Sequence, residues 1–192
     1  MSIVFLMNMF IGPNVIYSDL SDKKSELTII YPERKVSERK FVSKYQFEEG
    51  YEDAIRFIKE HEGFAGGKVY VDVAGIRTIG YGHVVLKTDN FTGKISRKTA
   101  DQLLRKDFDK AIKAAERETD LTGYKKIAIA HFIFAKGIGN YLRSHLSTLV
   151  ADSKPIDEEL KKWCYYRNTK GNMVRSEYSY NIRLWEIEMF NK

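Results

Sequence analysis

The sequence predicts an α+β fold that is mainly α, with a small β-hairpin lobe leading into a helical lobe. Three observations carry this reading. The stretch "HEGFAGGKVYVDVAGIRTIGYGH", residues 61–83, holds six glycines and short alternating runs, the pattern of tight turns and brief strands. Residues 97–119 carry an apolar stripe of helical period. The segment "KKIAIAHFIFA" is apolar almost all round, as expected of a helix buried at the centre of a helical domain.

Composition bounds the function. A chain of 192 residues, 43% hydrophobic and 30% charged, has the makeup of one ordinary soluble domain with something left over. The lone Cys164 cannot form an internal disulfide, and no second thiol exists for a structural zinc set; no metal and no cofactor are expected. A net charge of +6 suits an anionic partner but is more often a solvated face. Lys and Arg are scattered among acids rather than set in a stripe with aromatics, which disfavours nucleic acid.

Residues 1–20 include the apolar run "SIVFLMNMFIGPNVIYS", which resembles a secretory core. It lacks a basic residue before Lys23, contains Asn8 and Pro13, and has no clean cleavage site. The run is too short and too broken for a membrane span, so stable membrane insertion is not expected. Residues 21–46 are charged and mixed, with one strand-like run, "LTIIY", and read as a linker or extension. Residues 47–192 then form the structured domain.

The elements follow in order. In "FEEGYEDAIRFIKEHEG" Tyr51, Ile55, Ile58 and Glu62 recur at helical steps, so Glu62 falls on the apolar face and Gly63 suits the left-handed residue after the helix. Desolvation favours the neutral form of a carboxyl group, the form a general acid must supply. The runs "KVYVDV" and "RTIGY" predict a hairpin pairing residues 69–72 with 77–79, which carries Asp72 and Thr78 beside the end of the Glu62 helix. Tyr70, Ile79 and Tyr81 read as its core. Ser96 can cap a helix whose stripe is Ala100, Leu103, Leu104, Phe108, Ala111, Ile112 and Ala115 and which ends near Thr119. Asp107 borders that stripe and needs a partner there; His83, at the end of the hairpin, is the candidate, and the pair would pin the hairpin to the helix. Further helices are expected over 144–151, 157–166 and 178–190. His61 and His145 read as solvated, His131 as a core histidine with a hydrogen bond, and Cys164 as buried packing.

The order E-G-x6-Y-x-D-x5-T-I-G-Y-G-H, from Glu62 to His83, resembles the phage-type lysozymes, the endolysin muramidases of glycoside hydrolase family 24. "ISRKTADQLLRKDFDKAI" is similar to the family's long interlobe helix, "FAKGIGN" to its F-[NQ]-x-G segment, and Trp163 with "IRLWEIEMF" to its terminal R-R-x-x-E-x-x-L-F stretch. The resemblance covers residues 47–192. The Glu62-to-Asp72 spacing is one residue longer than in the shortest members, Ala135 stands where the family has Asn or Gln, and Ile182 replaces the first Arg.

The resemblance implies a lysozyme-like fold with a cleft between the lobes, and hydrolysis of the β-1,4 bond between N-acetylmuramic acid and N-acetylglucosamine in peptidoglycan. Such cleavage needs one carboxylic acid for the leaving oxygen and a second carboxylate near the developing oxocarbenium ion. Glu62 would be the acid; by the family's inverting chemistry, Asp72 and Thr78 would hold the attacking water. Val84, Phe134 and Ser144 correspond to its substrate-binding positions. A monomer acting on glycan strands of the bacterial wall is expected, reached by export to the periplasm or extracellular space or by release from the cytoplasm during lysis. A lytic transglycosylase on the same bond and a wall-binding domain without turnover are the alternatives; the presence of both Asp72 and Thr78 disfavours the first and the full trio disfavours the second.

Overall fold

The computed structural model describes residues 36–72, 75–168 and 170–192. The apolar segment 1–20 and the extension as far as residue 35 lie outside the described residues. By its internal contacts the chain divides into Met1–Arg39 and Lys40–Lys192, and the site described below belongs to the second unit. Among the described residues no helix is long and apolar enough to cross a membrane.

Helix α1 (Val36–Glu62) begins well before Phe47, the start that the apolar period suggests. Its first turns are charged and carry little stripe of their own. From Gly50 onward the helix enters the core: Ala54, Ile55 and Ile58 are buried. It ends at Glu62, where Gly63 takes φ +67° and its N–H returns to the Lys59 carbonyl at 3.1 Å, the left-handed termination that glycine permits.

The hairpin lobe is a three-stranded antiparallel sheet of β1 (Tyr70–Val71), β2 (Arg77–Ile79) and β3 (His83–Val84), in that order. The third strand extends the two-stranded hairpin that the alternation suggests. Register places Tyr70 opposite Thr78 and Thr78 opposite Val84, with Ile79 opposite His83. Ile79 is fully buried, whereas Tyr70 is exposed; one side of so small a sheet faces water. Gly80, at φ +69°, lies so close to α2 that a Cβ would stand 2.9 Å from that of Ala100. A side chain there would hold the lobe off the helix.

Helix α2 (Arg97–Glu118) starts as its cap signal indicates, with Ser96 Oγ accepting from the Thr99 N–H at 3.0 Å. Ala100, Leu104, Phe108, Ala111, Ile112 and Ala115 are buried, and Leu103 only partly so. Helix α3 (Gly123–Lys136) is the all-round apolar segment; residues 127–133 are buried without a break. It packs against α2 and against α7 (Glu177–Asn191). Short helices α4 (Ile138–Arg143), α5 (His145–Ala151) and α6 (Asp157–Lys161) complete the lobe. Beyond α6 the chain does not stay helical to 166. A single 3-10 turn leads to a second hairpin, β4 (Tyr165–Arg167) with β5 (Met173–Arg175). Asn168 makes its turn by accepting from the N–H groups of Lys170 and Asn172.

Candidate active site

A cleft of about 590 Å³ runs between the hairpin lobe and the helices. Glu62 stands on it at the end of α1. Tyr81, Gly82, His83, Val84 and Leu86 form the hairpin side, while α2 contributes Asp107, Lys110, Ala111, Ala114 and Arg117. Ile133, Phe134 and Ala135 of α3 and Ile138 of α4 close the remaining wall. An exposed carboxyl group, a few cations and a mixed apolar floor suit a polar chain that also offers hydrophobic faces.

Glu62 differs from expectation in one respect. The period that puts it in line with Ile55 and Ile58 is real, but those residues are buried and Glu62 is exposed. The helix stops there, and the face that packs on the core one turn earlier opens into the cleft. One oxygen of Glu62 is engaged: Tyr178 Oη, from the first turn of α7, donates to Oε1 at 3.3 Å. Sequence offers no signal for this contact, because 116 positions separate the two residues.

Asp72 follows β1 directly and is half-buried. Its Oδ1 accepts from the Ile76 N–H at 2.8 Å, and its own N–H donates to the Ile76 carbonyl at 2.9 Å, so the carboxyl group is seated on the hairpin turn. Thr78 is buried, with 4% of its surface exposed. Its hydroxyl oxygen has no hydrogen-bond partner among the described residues, which is uncommon for a buried polar atom. The register sets Thr78 beside Val84, which lines the cleft. Thr78, in β2, and Asp72, just after β1, thus belong to the hairpin that presents Val84 to the cleft and are not themselves among the residues lining it.

Val84 and Phe134 line the cleft from opposite lobes. Phe134 is also anchored in the helical core, with its ring edge-on to Phe108 at 5.9 Å. Ser144 does not line the cleft. Its hydroxyl donates to the Tyr141 carbonyl at 2.6 Å and accepts from the Ser147 N–H at 3.3 Å, so it caps α5.

The anticipated pair is present. His83, 7% exposed, meets Asp107 Oδ2 through Nδ1 at 2.5 Å. Two partners extend it: Asp89 Oδ2 lies 3.4 Å from His83 Nε2, and Lys110 donates to Asp107 Oδ1 at 2.7 Å. Asp89 also accepts from the Leu86 N–H at 2.7 Å, and that bond, with the histidine behind it, holds its carboxyl below the usual range. His61 is not simply solvated. Its ring lies on Phe57 at 3.8 Å and its Nδ1 meets the Phe57 carbonyl at 3.0 Å. His131 is a core histidine, bonded to the fully buried Glu186 at 2.7 Å. Cys164 is buried. Among the described residues no group of three or more His, Cys, Asp or Glu side chains is placed to hold a metal ion.

The family model described as phage lysozyme matches residues 59–177, more than half of the chain and the whole span from the end of α1 to the start of α7. A SAR-endolysin of Bacteriophage PS119 is 29% identical over 125 residues, 62% of this chain and 74% of that protein. Among solved structures, an endolysin from the Escherichia coli O157:H7 phage FAHEc1 superposes with a TM-score of 0.60 at 26% identity, covering 73% of this chain and 89% of that one. The muramidase domain of SpmX from Asticaccaulis excentricus gives a TM-score of 0.64 at 22% identity, over 73% and 95% of the two chains.

Proposed function

The chain belongs to the phage lysozyme family and is a peptidoglycan hydrolase of the muramidase type, acting on the bacterial cell wall; from that premise we propose how its residues divide the work. Glu62 is the general acid, Asp72 the carboxylate that activates water, and Thr78 the hydroxyl that orients it. The bond cleaved is the β-1,4 link between N-acetylmuramic acid and N-acetylglucosamine, with inversion at the anomeric carbon.

One observation carries this division: Glu62 stands in the cleft on the helical side, while Asp72 and Thr78 share the hairpin that walls the other side. Inversion needs the acid and the water-holding group on opposite faces of the glycan; Glu62 stands in the cleft, and Thr78 adjoins it through Val84, its partner across the sheet and a residue of the cleft wall. Glu62 gives its proton to the leaving oxygen as the C–O bond breaks. Asp72 takes a proton from the water as its oxygen bonds to the anomeric carbon. Thr78 has a hydroxyl not committed to any described partner, which supports its role beside Asp72. Val84 and Phe134 bound the sugar path, and Ser144 is left out because its hydroxyl is used in capping α5. The working form proposed is a monomer that reaches the wall by export or by release from the cytoplasm during lysis, without nucleic acid as a partner.

Zymography on purified peptidoglycan tests the assignment. Glu62→Gln and Asp72→Asn should each clear less than about a hundredth as well as the parent, since one step of general acid or base assistance contributes about 10²–10⁴-fold. Asn at 72 retains an acceptor for the Ile76 N–H, so its loss should appear in turnover rather than binding. Equal clearing by Glu62→Gln would remove the acid. Anhydromuramic products in mass spectra of the digest would replace hydrolysis by a transglycosylase reaction, and binding without new reducing ends would leave only a wall-binding domain.

A further inference from the structure

The first turn of α7 returns to the last turn of α1. Ser176 caps α7 by accepting from the Ser179 N–H at 3.1 Å, which fixes the turn that carries Tyr178. The neighbouring packing fixes its distance from Glu62. Phe57 of α1 stacks on Trp185 of α7 with ring centroids 4.3 Å apart and planes 14° from parallel. His61 also packs on Phe57, with ring centroids 3.8 Å apart, and the Tyr178 ring is 6.2 Å from His61. Stacked rings of this kind hold the two helix ends in register. The hydrogen bond from Tyr178 Oη to Glu62 Oε1 is thus set by a rigid frame rather than by two free side chains.

Resting on the assignment of Glu62 as the acid, we propose that Tyr178 is a positioning residue for it, holding Oε1 so that Oε2 is the oxygen that carries and delivers the proton. The phenol is held above its ordinary range, by burial first and then by the Glu62 charge and hydrogen bond. It therefore keeps its proton and stays a donor. In the reaction Oε2–H passes its proton to the glycosidic oxygen, that C–O bond breaks, and the negative charge left on the carboxylate is shared with Oε1. Tyr178 keeps its own proton throughout, and its bond strengthens as charge develops. Solvent returns a proton to Oε2 after the product leaves.

The other titratable or charged groups around Glu62 have other commitments or stand apart. His61 is bonded to the Phe57 carbonyl, and His83, Asp107 and Lys110 are bonded to one another. Tyr81 and Arg117 line the same cleft, and among the described residues neither is bonded to Glu62. Among the described residues Tyr178 is the group hydrogen-bonded to the carboxyl.

Tyr178→Phe in the full chain, assayed on solubilised glycan strands across a pH range, tests the proposal. The ring is about half exposed and Phe keeps its packing, so the fold should persist. Loss of one hydrogen bond of ordinary net value predicts a fall in kcat of about three- to tenfold, with KM unchanged. Because the bond favours the charged carboxylate, its removal should also move the alkaline limb of the kcat profile to higher pH. An unchanged kcat and limb would overturn the proposal. A lowered melting temperature with kcat and KM both altered but the limb in place would overturn it too, leaving Tyr178 a packing residue. Glu62→Gln in the same assay separates the two ideas: if it is inactive while Tyr178→Phe behaves as the parent, the acid stands and its positioning does not. Should Glu62→Gln retain activity, the acid assignment itself is gone.

Discussion

Each lobe of the molecule contains one buried histidine bonded to a carboxylate, and the two pairs do different jobs. His131 bonds Glu186 inside the helical lobe, where Arg183 donates to the same oxygen at 2.8 Å. All three groups are nearly or fully buried, and they join α3 to α7 within a core already supplied with Ile127, Ile129, Phe132 and Leu146. His83 bonds Asp107 at the rim of the cleft, where Asp107 also holds Lys110. The hairpin lobe has strands of two or three residues, and both Val71 and Ile76 are exposed. The helical pair is a lock inside a body that apolar burial holds together. The hairpin pair is one of few attachments of a lobe that apolar burial does not hold well, and that lobe bears Asp72 and Thr78.

The comparison is most sharply tested in the helical core. Arg183 is 1% exposed and Glu186 fully buried, yet Arg183 Nε and Nη1 and Glu186 Oε2 have no partner among the described residues. Burial holds the Arg183 guanidinium below its ordinary range, with Glu186 opposing that shift. Glu186→Leu leaves that cation without its counter-charge and should cost about 3–5 kcal/mol in urea denaturation. Replacing the trio together, as Arg183→Met, Glu186→Leu and His131→Leu, should recover most of that loss, because matched apolar groups replace an ion network that is incompletely satisfied. If the triple variant is no more stable than Glu186→Leu alone, the trio is not a costly lock and the contrast between the lobes fails.

At the hairpin the same chemistry should count for less stability and more activity. A double-mutant cycle with His83→Gln and Asp107→Asn should give a coupling of about 0.5–3 kcal/mol, the span seen for residues in direct contact. Each single variant should lose turnover beyond what its stability loss explains, since the strand leading from His83 is paired with β2 and so with Thr78. A coupling within error of zero would mean that the lobe is held by other contacts, Gly80 against Ala100 foremost.

How much of this was legible follows from the range of each interaction. Helix α2 could be read because its period and its Ser96 cap lie within the segment itself. Gly63 announced a helix end for the same reason. The pairing of His83 with Asp107 was legible because a carboxyl on the edge of an apolar stripe demands a partner, and one histidine stood at the end of the motif. The start of α1 was not, since residues 36–46 are too charged to show a stripe. The hairpin of β4 and β5 did carry a local signal, Asn168 and Gly171 around a turn, but the helix expected over 157–166 took in Tyr165 and Tyr166 of β4. The exposure of Glu62 was hidden because periodicity fixes a face and says nothing of what that face meets. Tyr178 was beyond reach, as its contact exists only once α7 has folded back onto α1.

The smallest expected effect concerns the seam between α1 and α2, where neither lobe's histidine takes part. Asp101 pairs with Lys59 of α1 and, at 3.0 Å, with Arg105, which also grips both oxygens of Glu52 at 2.6 and 2.8 Å. Burial alone would raise the Asp101 carboxyl, but its bonds to Lys59 and Arg105 outweigh that and hold it below the usual range. The bonds from Arg105 do the same for Glu52. A carboxyl depressed in the folded state binds protons more weakly there than in the unfolded chain. Its contribution is therefore present above the unfolded value of about 4 and is lost as pH falls through the lower folded one. These side chains are partly exposed, so solvent and salt screen them, and Asp101→Asn should cost only about 1 kcal/mol at neutral pH. The difference between parent and variant should shrink as pH falls below about 4, and it should also shrink in high salt. Urea denaturation of both proteins at neutral and strongly acidic pH measures this directly. A cost that is the same at both would mean that Asp101 acts through packing and not through charge.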